Sequence, residues 1–353
     1  MEPGREIRLS FLSDRKGKVT GTQVWVLRLR GGEARQITNV PKKQGEIKAY
    51  RWPPDGQRLL LTVHTGGTVS ANAFNDAAAK KVLPPIVITR YHFNQDIIGY
   101  LTAKSHTFLH LYDVATGKVQ KLTSGDQYDE RGGMWSPDGK EIAYISNHTA
   151  EPDRNITMQL FVVATSGEAQ PQQLTHYEGA NGGPPEWSPD GKEIGFLRGG
   201  PIQYWQQQEN RLAVIAADGG HARVVAAKLD RPVSDPQWAS DGRHILGLVT
   251  DDRNQYPANK DAVAGTVRRL VGSEDVSGSL TGKAGHEALV WTSDTKQSER
   301  TARASTAWSH SRISLGRRSP IRCSCGSTAD RMDRTRMPFR RCGSCSRRAA
   351  TRC

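Results

Sequence analysis

Cysteine is missing from the first 322 residues of this 353-residue chain, and lysine and glutamate are missing from the last 53. No apolar run approaches the roughly 18 residues of a membrane helix, and none of signal-peptide length follows Met1-Glu2-Pro3-Gly4-Arg5-Glu6. These absences exclude a membrane-spanning helix, give no reason to expect a membrane partner and leave the cytoplasm as the expected location. Helical periodicity is almost absent as well, which argues against an α-helical domain. The shortage of lysine and glutamate at the end also changes how the charge must be read. Residues 301–353 hold +11 of the +13 net charge, from 13 Arg against Asp330 and Asp333, so the first 300 residues carry only +2. All five cysteines (Cys323, Cys325, Cys342, Cys345, Cys353) fall in the same stretch. Two compositions therefore meet near residue 300, and whole-chain averages describe neither.

What is present before that junction is a repeat. Four copies of one phrase occur: Trp52-Pro53-Pro54-Asp55-Gly56, Trp135-Ser136-Pro137-Asp138-Gly139, Trp187-Ser188-Pro189-Asp190-Gly191 and Trp238-Ala239-Ser240-Asp241-Gly242. The last two intervals are 52 and 51 residues, a period that marks stacked or radially arranged units. Asp-Gly is a strong turn dipeptide, because Gly takes positive φ without a Cβ clash and a preceding Pro presets φ near −65°. Each phrase leads into an apolar run: Leu59-Leu60-Leu61-Thr62-Val63, Ile142-Ala143-Tyr144-Ile145, Ile194-Gly195-Phe196-Leu197 or Ile245-Leu246-Gly247-Leu248-Val249.

A second phrase precedes each of the four. Val24-Trp25-Val26-Leu27, Leu111-Tyr112-Asp113-Val114, Leu160-Phe161-Val162-Val163 and Leu212-Ala213-Val214-Ile215 each run to a Gly-containing turn. A further strand then closes on Ile37-Thr38, Leu122-Thr123, Leu174-Thr175 or Val224-Val225. Four short strands in about 50 residues, joined by Gly-rich turns, are the pattern of a β-propeller blade. The tryptophans are expected to pack blades together and the Asp-Gly pairs to make turns, with neither holding a ligand or metal. The longer interval between Trp52 and Trp135 holds Val87-Ile88-Thr89-Arg90-Tyr91-His92-Phe93 to Gly99-Tyr100, which reads as an extra strand pair.

These phrases resemble the propeller domain of the prolyl oligopeptidase-like serine peptidases, especially the bacterial dipeptidyl aminopeptidase and acylaminoacyl-peptidase branch. The more specific parts are Phe11-Leu12-Ser13-Asp14-Arg15, Gly31-Gly32-Glu33-Ala34 leading to Gln36-Ile37-Thr38, and Ile88-Thr89-Arg90 with Phe93, Asp96, Gly99 and Tyr100. The Trp-Ser-Pro-Asp-Gly phrase also resembles TolB-like binding propellers, the alternative reading. In the peptidase family the resemblance implies an α/β-hydrolase domain after the propeller, with its nucleophile in a Gly-x-Ser-x-Gly elbow. That motif is absent here, and only about 50 residues follow the repeats, so no Ser, His and Asp are assigned to a triad.

The tail has the composition of a GC-rich gene translated out of frame. Shifting by two bases lets Cys325-Gly326-Ser327-Thr328-Ala329-Asp330-Arg331-Met332-Asp333 read Trp-Ile-His-Gly-Gly-Pro-Asn-Gly, with the last Gly forced by the Met and Asp codons. His-Gly-Gly-Pro resembles the family's oxyanion loop, whose backbone N–H groups stabilise the tetrahedral intermediate of acyl transfer. The same shift gives Leu-Arg-Gln-Leu-Leu-Ala-Ala-Arg-Gly-Tyr-Ala-Val from Arg341 to Cys353, and Ile-His-Gly-Met-Val-Thr-Gln-Pro from Ala304 to Arg312. The break is placed between Thr292 and Arg303. On that reading the Cys342-Gly343-Ser344-Cys345 cluster is no zinc site, its spacing fitting no closed tetrahedral pattern, and the arginines mark no specific nucleic-acid partner. Gly278 to Gly282-Lys283 falls one residue short of a P-loop, and Ala284 stands where Ser or Thr is needed.

The sequence thus predicts an all-β protein: a β-propeller of about six blades over residues 1–297, followed by a disordered Arg/Cys-rich tail over 298–353. Phe11-Leu12-Ser13 reads as the middle of a blade, so the propeller is expected to lack a blade at its N-terminus, leaving an open edge that favours aggregation. The expected role is that of a substrate-gating propeller from a peptidase that takes short peptides. This chain itself is expected to be inactive, with no catalytic, cofactor-binding or metal-binding residue assigned.

Overall fold

A computed structural model describes residues 8–28, 31–66, 87–94, 100–101, 105–123, 125, 127–166, 170–177, 179–204, 209–251 and 254–270. It also describes the strand backbone at 68–69, 95, 99, 275–283, 287–294 and 309–314. The chain divides into two units, Met1–Arg322 and Cys323–Cys353, and every described residue lies in the first.

The first unit is a succession of antiparallel sheets. The first holds β1 (Arg8–Ser13), β2 (Gln23–Arg28) and β3 (Arg35–Gln36) in that order. The second is built of β4 (Glu46–Arg51), β5 (Arg58–Thr65), β9 (His106–Asp113) and β10 (Val119–Lys121). Between β5 and β9 the chain makes a small separate sheet from β6 (Thr68–Val69), β7 (Asn94–Gln95) and β8 (Gly99–Leu101), which contains part of the expected extra strand pair.

Three further four-stranded sheets, or blades, follow in regular order. They are β11 (Glu130–Trp135) to β14 (Gln172–Gln173), β15 (Gly179–Trp187) to β18 (Arg223–Val224), and β19 (Val233–Trp238) to β22 (Val267–Arg269). Their middle strands are β12 (Glu141–Ser146) and β13 (Gln159–Ala164), β16 (Glu193–Pro201) and β17 (Arg211–Ala216), and β20 (His244–Asp251) and β21 (Asn254–Asp261). The sixth sheet joins β23 (Asp275–Lys283), β24 (Glu287–Asp294) and β25 (Ser309–Ser314). Six blades of this kind make a β-propeller. β25 pairs along β24 from Thr292↔Ser309 to Glu287↔Ser314, so paired backbone continues past residue 297, where the sequence reading ended the propeller. The rest of the expected tail, and all five cysteines, lie outside the described residues.

The apolar runs explain the stacking. Successive side chains of a strand point to opposite faces, and here both faces are covered. Leu59 and Leu61 pack with Val24, Val40 and Tyr112 toward the first sheet, whereas Leu60 packs with Ile142, Tyr144 and Phe161 toward the third. Ala143 and Ile145 face Trp187, Ile194 and Phe196, and Leu197 and Val214 face Trp238 and Ile245. The first three runs therefore each belong to two interfaces at once, and a fully buried Leu, Ile or Phe contributes about 1.5–3 kcal/mol of burial.

The Trp-x-x-Asp-Gly phrase does two jobs. Ser136 Oγ donates to Asp138 Oδ1 at 2.7 Å and accepts from Glu141 N at 3.0 Å, while Lys140 N donates to Asp138 Oδ1 at 3.1 Å. The same three bonds recur around Ser188 and Asp190 at 2.7, 2.9 and 3.1 Å. Gly139 and Gly191 both sit at φ +72°, the left-handed conformation these turns require. Meanwhile the tryptophan reaches backward. Trp238 Nε1 donates to Glu186 O at 3.0 Å, Trp187 Nε1 to Met134 O at 3.3 Å, and Trp135 Nε1 to Arg51 O at 3.3 Å. Each acceptor immediately precedes the tryptophan of the blade before, so the repeat is stitched to itself. The first sheet provides no such inner strand among the described residues, and Trp52 Nε1 turns instead to Ser10 Oγ at 3.0 Å. Trp52 is 38% exposed, against 7% and 5% for Trp187 and Trp238.

Candidate functional site

The Asp-Gly turns occupy one end of the blades, where Asp138 and Asp190 make exposed pairs with Lys140 and Lys192, and Arg243 donates to the buried Asp261 at 2.8 Å. The connections β5–β9, β12–β13 and β16–β17 emerge at the other end, and the unusual chemistry gathers there. The insertion between β5 and β9 is tethered to the β12–β13 loop. Arg90 donates to Asp153 Oδ1 from Nη2 at 2.8 Å and from Nε at 3.2 Å, His92 N donates to Asp153 Oδ2 at 2.9 Å, and Arg90 Nη1 donates to Ser105 O at 2.8 Å. Burial alone would raise the Asp153 carboxyl, but the Arg90 and His92 hydrogen bonds outweigh it and hold the group below its ordinary range. Phe93 stacks on Tyr100 with ring centroids 6.4 Å apart. Val87, Ile88 and Tyr91 of this segment are exposed. Arg90, Phe93, Gly99 and Tyr100 are thus placed together, while Asp96 of the same motif lies outside the described residues.

Beneath the insertion, His64 Nε2 lies 3.1 Å from Ser105 Oγ. The pair does not make a nucleophile. The other ring nitrogen, Nδ1, contacts Thr107 Oγ1 at 3.2 Å in place of an orienting carboxylate, and Asp129 accepts from Thr107 N at 2.6 Å. Burial lowers the pKa of His64, favouring the neutral ring. No cluster of three metal-ligating His, Cys, Asp or Glu side chains occurs among the described residues.

A polar clasp organises this end of the blades. In the first, Thr38 Oγ1 donates to Gln23 Oε1 at 2.8 Å and accepts from Val24 N at 2.9 Å. In the third, Thr175 Oγ1 repeats both bonds with Gln159 Oε1 at 2.6 Å and Leu160 N at 2.9 Å. All of these groups are buried, so the clasp satisfies donors that water cannot reach. The second blade has Phe108 where the glutamine belongs. Glu130, from the next blade's inner strand, replaces it, accepting from Thr123 Oγ1 and, at 2.7 Å, from Leu109 N. Burial raises the Glu130 carboxyl despite these bonds. In the fourth blade Val225 N donates to Leu212 O as Leu174 N does to Leu160 O, which puts Arg211 in the glutamine position and Ala226 in the threonine position.

Two clefts open at this end, each beside an altered clasp. The smaller, about 230 Å³, lies between the second and third blades, lined by Phe108, Thr123, Tyr128, Glu130 and His148. His148 stacks on Tyr128 at 4.1 Å, and its Nε2 is buried without a hydrogen-bond partner among the described residues. The larger, about 530 Å³, lies in the fourth blade between Tyr177, Arg198, Gly199, Glu209, Arg211 and Asp230. Of these residues the sequence reading named only Thr123, as the end of a strand, and assigned none of them to a site. Loss of the glutamine at the clasp position, to Phe108 in the second blade and Arg211 in the fourth, is the signal that marks both clefts once the strand register is known.

Fold and loop face together define a β-propeller domain whose two described clefts open at one end. Over that domain the homologues of the chain are prolyl oligopeptidase-like serine peptidases. The uncharacterized peptidase YuxL of Bacillus subtilis is 30% identical over 155 residues, covering 44% of this chain and 22% of the relative. Dipeptidyl-peptidase 5 of Arthroderma otae is 24% identical over 279 residues, covering 69% of this chain and 36% of the relative. The chain thus spans well under half the length of these curated relatives. Among solved structures, the β-propeller domain of the Trilobed protease from Pyrococcus furiosus superposes with a TM-score of 0.55 at 11% identity, covering 89% of this chain and 77% of that one. No family model matches the chain.

Proposed function

We propose that this chain is the substrate-gating propeller of a prolyl oligopeptidase-like serine peptidase that hydrolyses short peptides, and that it is inactive without the hydrolase domain. The observation that carries this reading is the 279-residue match to dipeptidyl-peptidase 5, a relative of which the chain accounts for only 36%. The exposed apolar residues of the tethered insertion and the clefts at the loop end suit a surface that meets substrate or a following domain. The shifted reading of residues 304–353 supplies the phrase with which such a domain would begin.

The test is genetic and then enzymatic. Resequencing the codons for residues 290–305 should find the frame break, and the corrected gene should encode a Gly-x-Ser-x-Gly motif downstream. Its product should cleave aminoacyl or dipeptidyl chromogenic substrates, and the 353-residue chain should not. An intact frame with no such motif downstream would remove the peptidase reading. Hydrolysis by the 353-residue chain, surviving purification to homogeneity, would overturn the claim of inactivity.

A further inference from the structure

We infer that the cleft of the fourth blade is a binding site for a small zwitterion of amino-acid or dipeptide size. Arg198 and Arg211 would hold its carboxylate, and Glu209 its ammonium group. The first observation is the register. Arg198 on β16 stands directly opposite Arg211 on β17, and directly paired side chains share a face of the sheet. Like charges so placed repel, an arrangement that an anion between them converts into attraction. Neither guanidinium is tightly engaged by protein. Arg198 lies over the Tyr177 ring at 4.0 Å, and Arg211 is 3.8 Å from a carboxylate oxygen of Asp230, whose side chain is 84% exposed. An exposed contact of that length is worth little.

The second observation is an acceptor without a donor. Glu209 Oε2 is buried and has no hydrogen-bond partner among the described residues. A buried carboxylate oxygen left unpaired is costly, and an ammonium group entering the cleft would satisfy it. The third is the space itself. A cleft of about 530 Å³ falls within the range of small-molecule sites. Gly199 in its wall packs tightly on β15, where a Cβ would come 2.4 Å from Ala180 O. The fourth is the repeat. The blades that keep glutamine at the Arg211 position close this place with a Gln–Thr clasp, so the opening is a local substitution within a conserved geometry of the fold.

The proposal needs only the fourth blade and does not rest on the peptidase reading. Titration of the 353-residue chain with glycylglycine by calorimetry should give saturable binding. N-acetylglycylglycine, which lacks the ammonium, and glycylglycinamide, which lacks the carboxylate, should each bind at least roughly tenfold more weakly. Arg198→Gln and Arg211→Gln should each weaken glycylglycine binding by roughly tenfold or more. The second places in the fourth blade the residue that the first and third already carry, so its thermal transition should be retained. Glu209→Gln should abolish the discrimination between glycylglycine and its N-acetyl form. Absence of saturable binding to the folded chain would overturn the proposal, as would equal affinity for the N-acetyl form or unchanged affinity in both arginine variants. None of these results bears on whether the restored gene encodes a peptidase.

Discussion

Lys260 shows most plainly what a single residue can cost this fold. It is 0% exposed on β21, and among the described residues its one acceptor is Gly247 O, at 3.5 Å. The ammonium ion has exchanged water for a single long contact, and burial pushes its pKa down to about 8. A lysine ordinarily titrates near 10.5, so between pH 8 and 10.5 the unfolded chain binds the proton that the folded chain has released. Stability contributed at this site therefore rises with pH across that window and is lowest below it. Lys260→Met should raise stability at pH 7 by about 1–3 kcal/mol, and the gain should shrink as the pH approaches 10.5. Urea denaturation of both proteins at pH 7 and 10 reads the difference. A methionine variant that is destabilised at pH 7 would show the lysine to be satisfied. Glu186 is the acidic counterpart: burial raises its carboxyl to about 7, against the opposing pull of Arg51 from the second blade's inner strand.

At the scale of the element, the tryptophan stitch makes the four repeats unequal. Trp187 and Trp238 are buried and donate to the backbone of the preceding blade, whereas Trp52 finds only the Ser10 hydroxyl and stays partly exposed. Trp187→Phe would remove the donor from the partly buried Met134 carbonyl and leave a gap between the third and fourth blades. A loss of about 2–4 kcal/mol is expected, against about 1 kcal/mol or less for Trp52→Phe. Urea midpoints of the two variants, with equal slopes, test the ranking. Comparable losses would mean that the first sheet is stitched as firmly as the others. The same elements show what sequence could and could not yield. The turn, the tryptophan and the apolar run are contiguous, and their shared spacing exposes the blade. The clasp joins residues 15 or 16 positions apart on different strands, Gln23 to Thr38 and Gln159 to Thr175, and becomes visible only once the strand register is known. Arg211 reads in isolation as one more surface arginine. In register it occupies a glutamine's place opposite a second arginine.

For the whole molecule, the decisive contrast is between the part of the chain that holds the apolar runs and the part that carries its charge. Blade stacking accounts for the apolar runs as far as Ile245. The Arg-rich end supplies no comparable run, which is why composition alone located the junction near residue 300 and yet placed the boundary before β25. Backbone pairing of Ser309–Ser314 to β24 asks for no apolar pattern, so composition had no means of registering it. The two kinds of contribution separate in a deletion series. Residues 315–353 carry 11 Arg against Asp330 and Asp333, that is +9 of the +13, so a chain ending at Ser314 has a net charge of +4. That chain should keep the thermal transition of the full protein while losing its retention on heparin at low salt, because nonspecific binding to a polyanion follows the number of cations released from it. A chain ending at Asp294 also loses β25, exposes the β24 edge, and should melt lower and aggregate more readily. A large fall in melting temperature on removing only residues 315–353 would show that the Arg-rich segment packs against the propeller, and would count against its having been read out of frame.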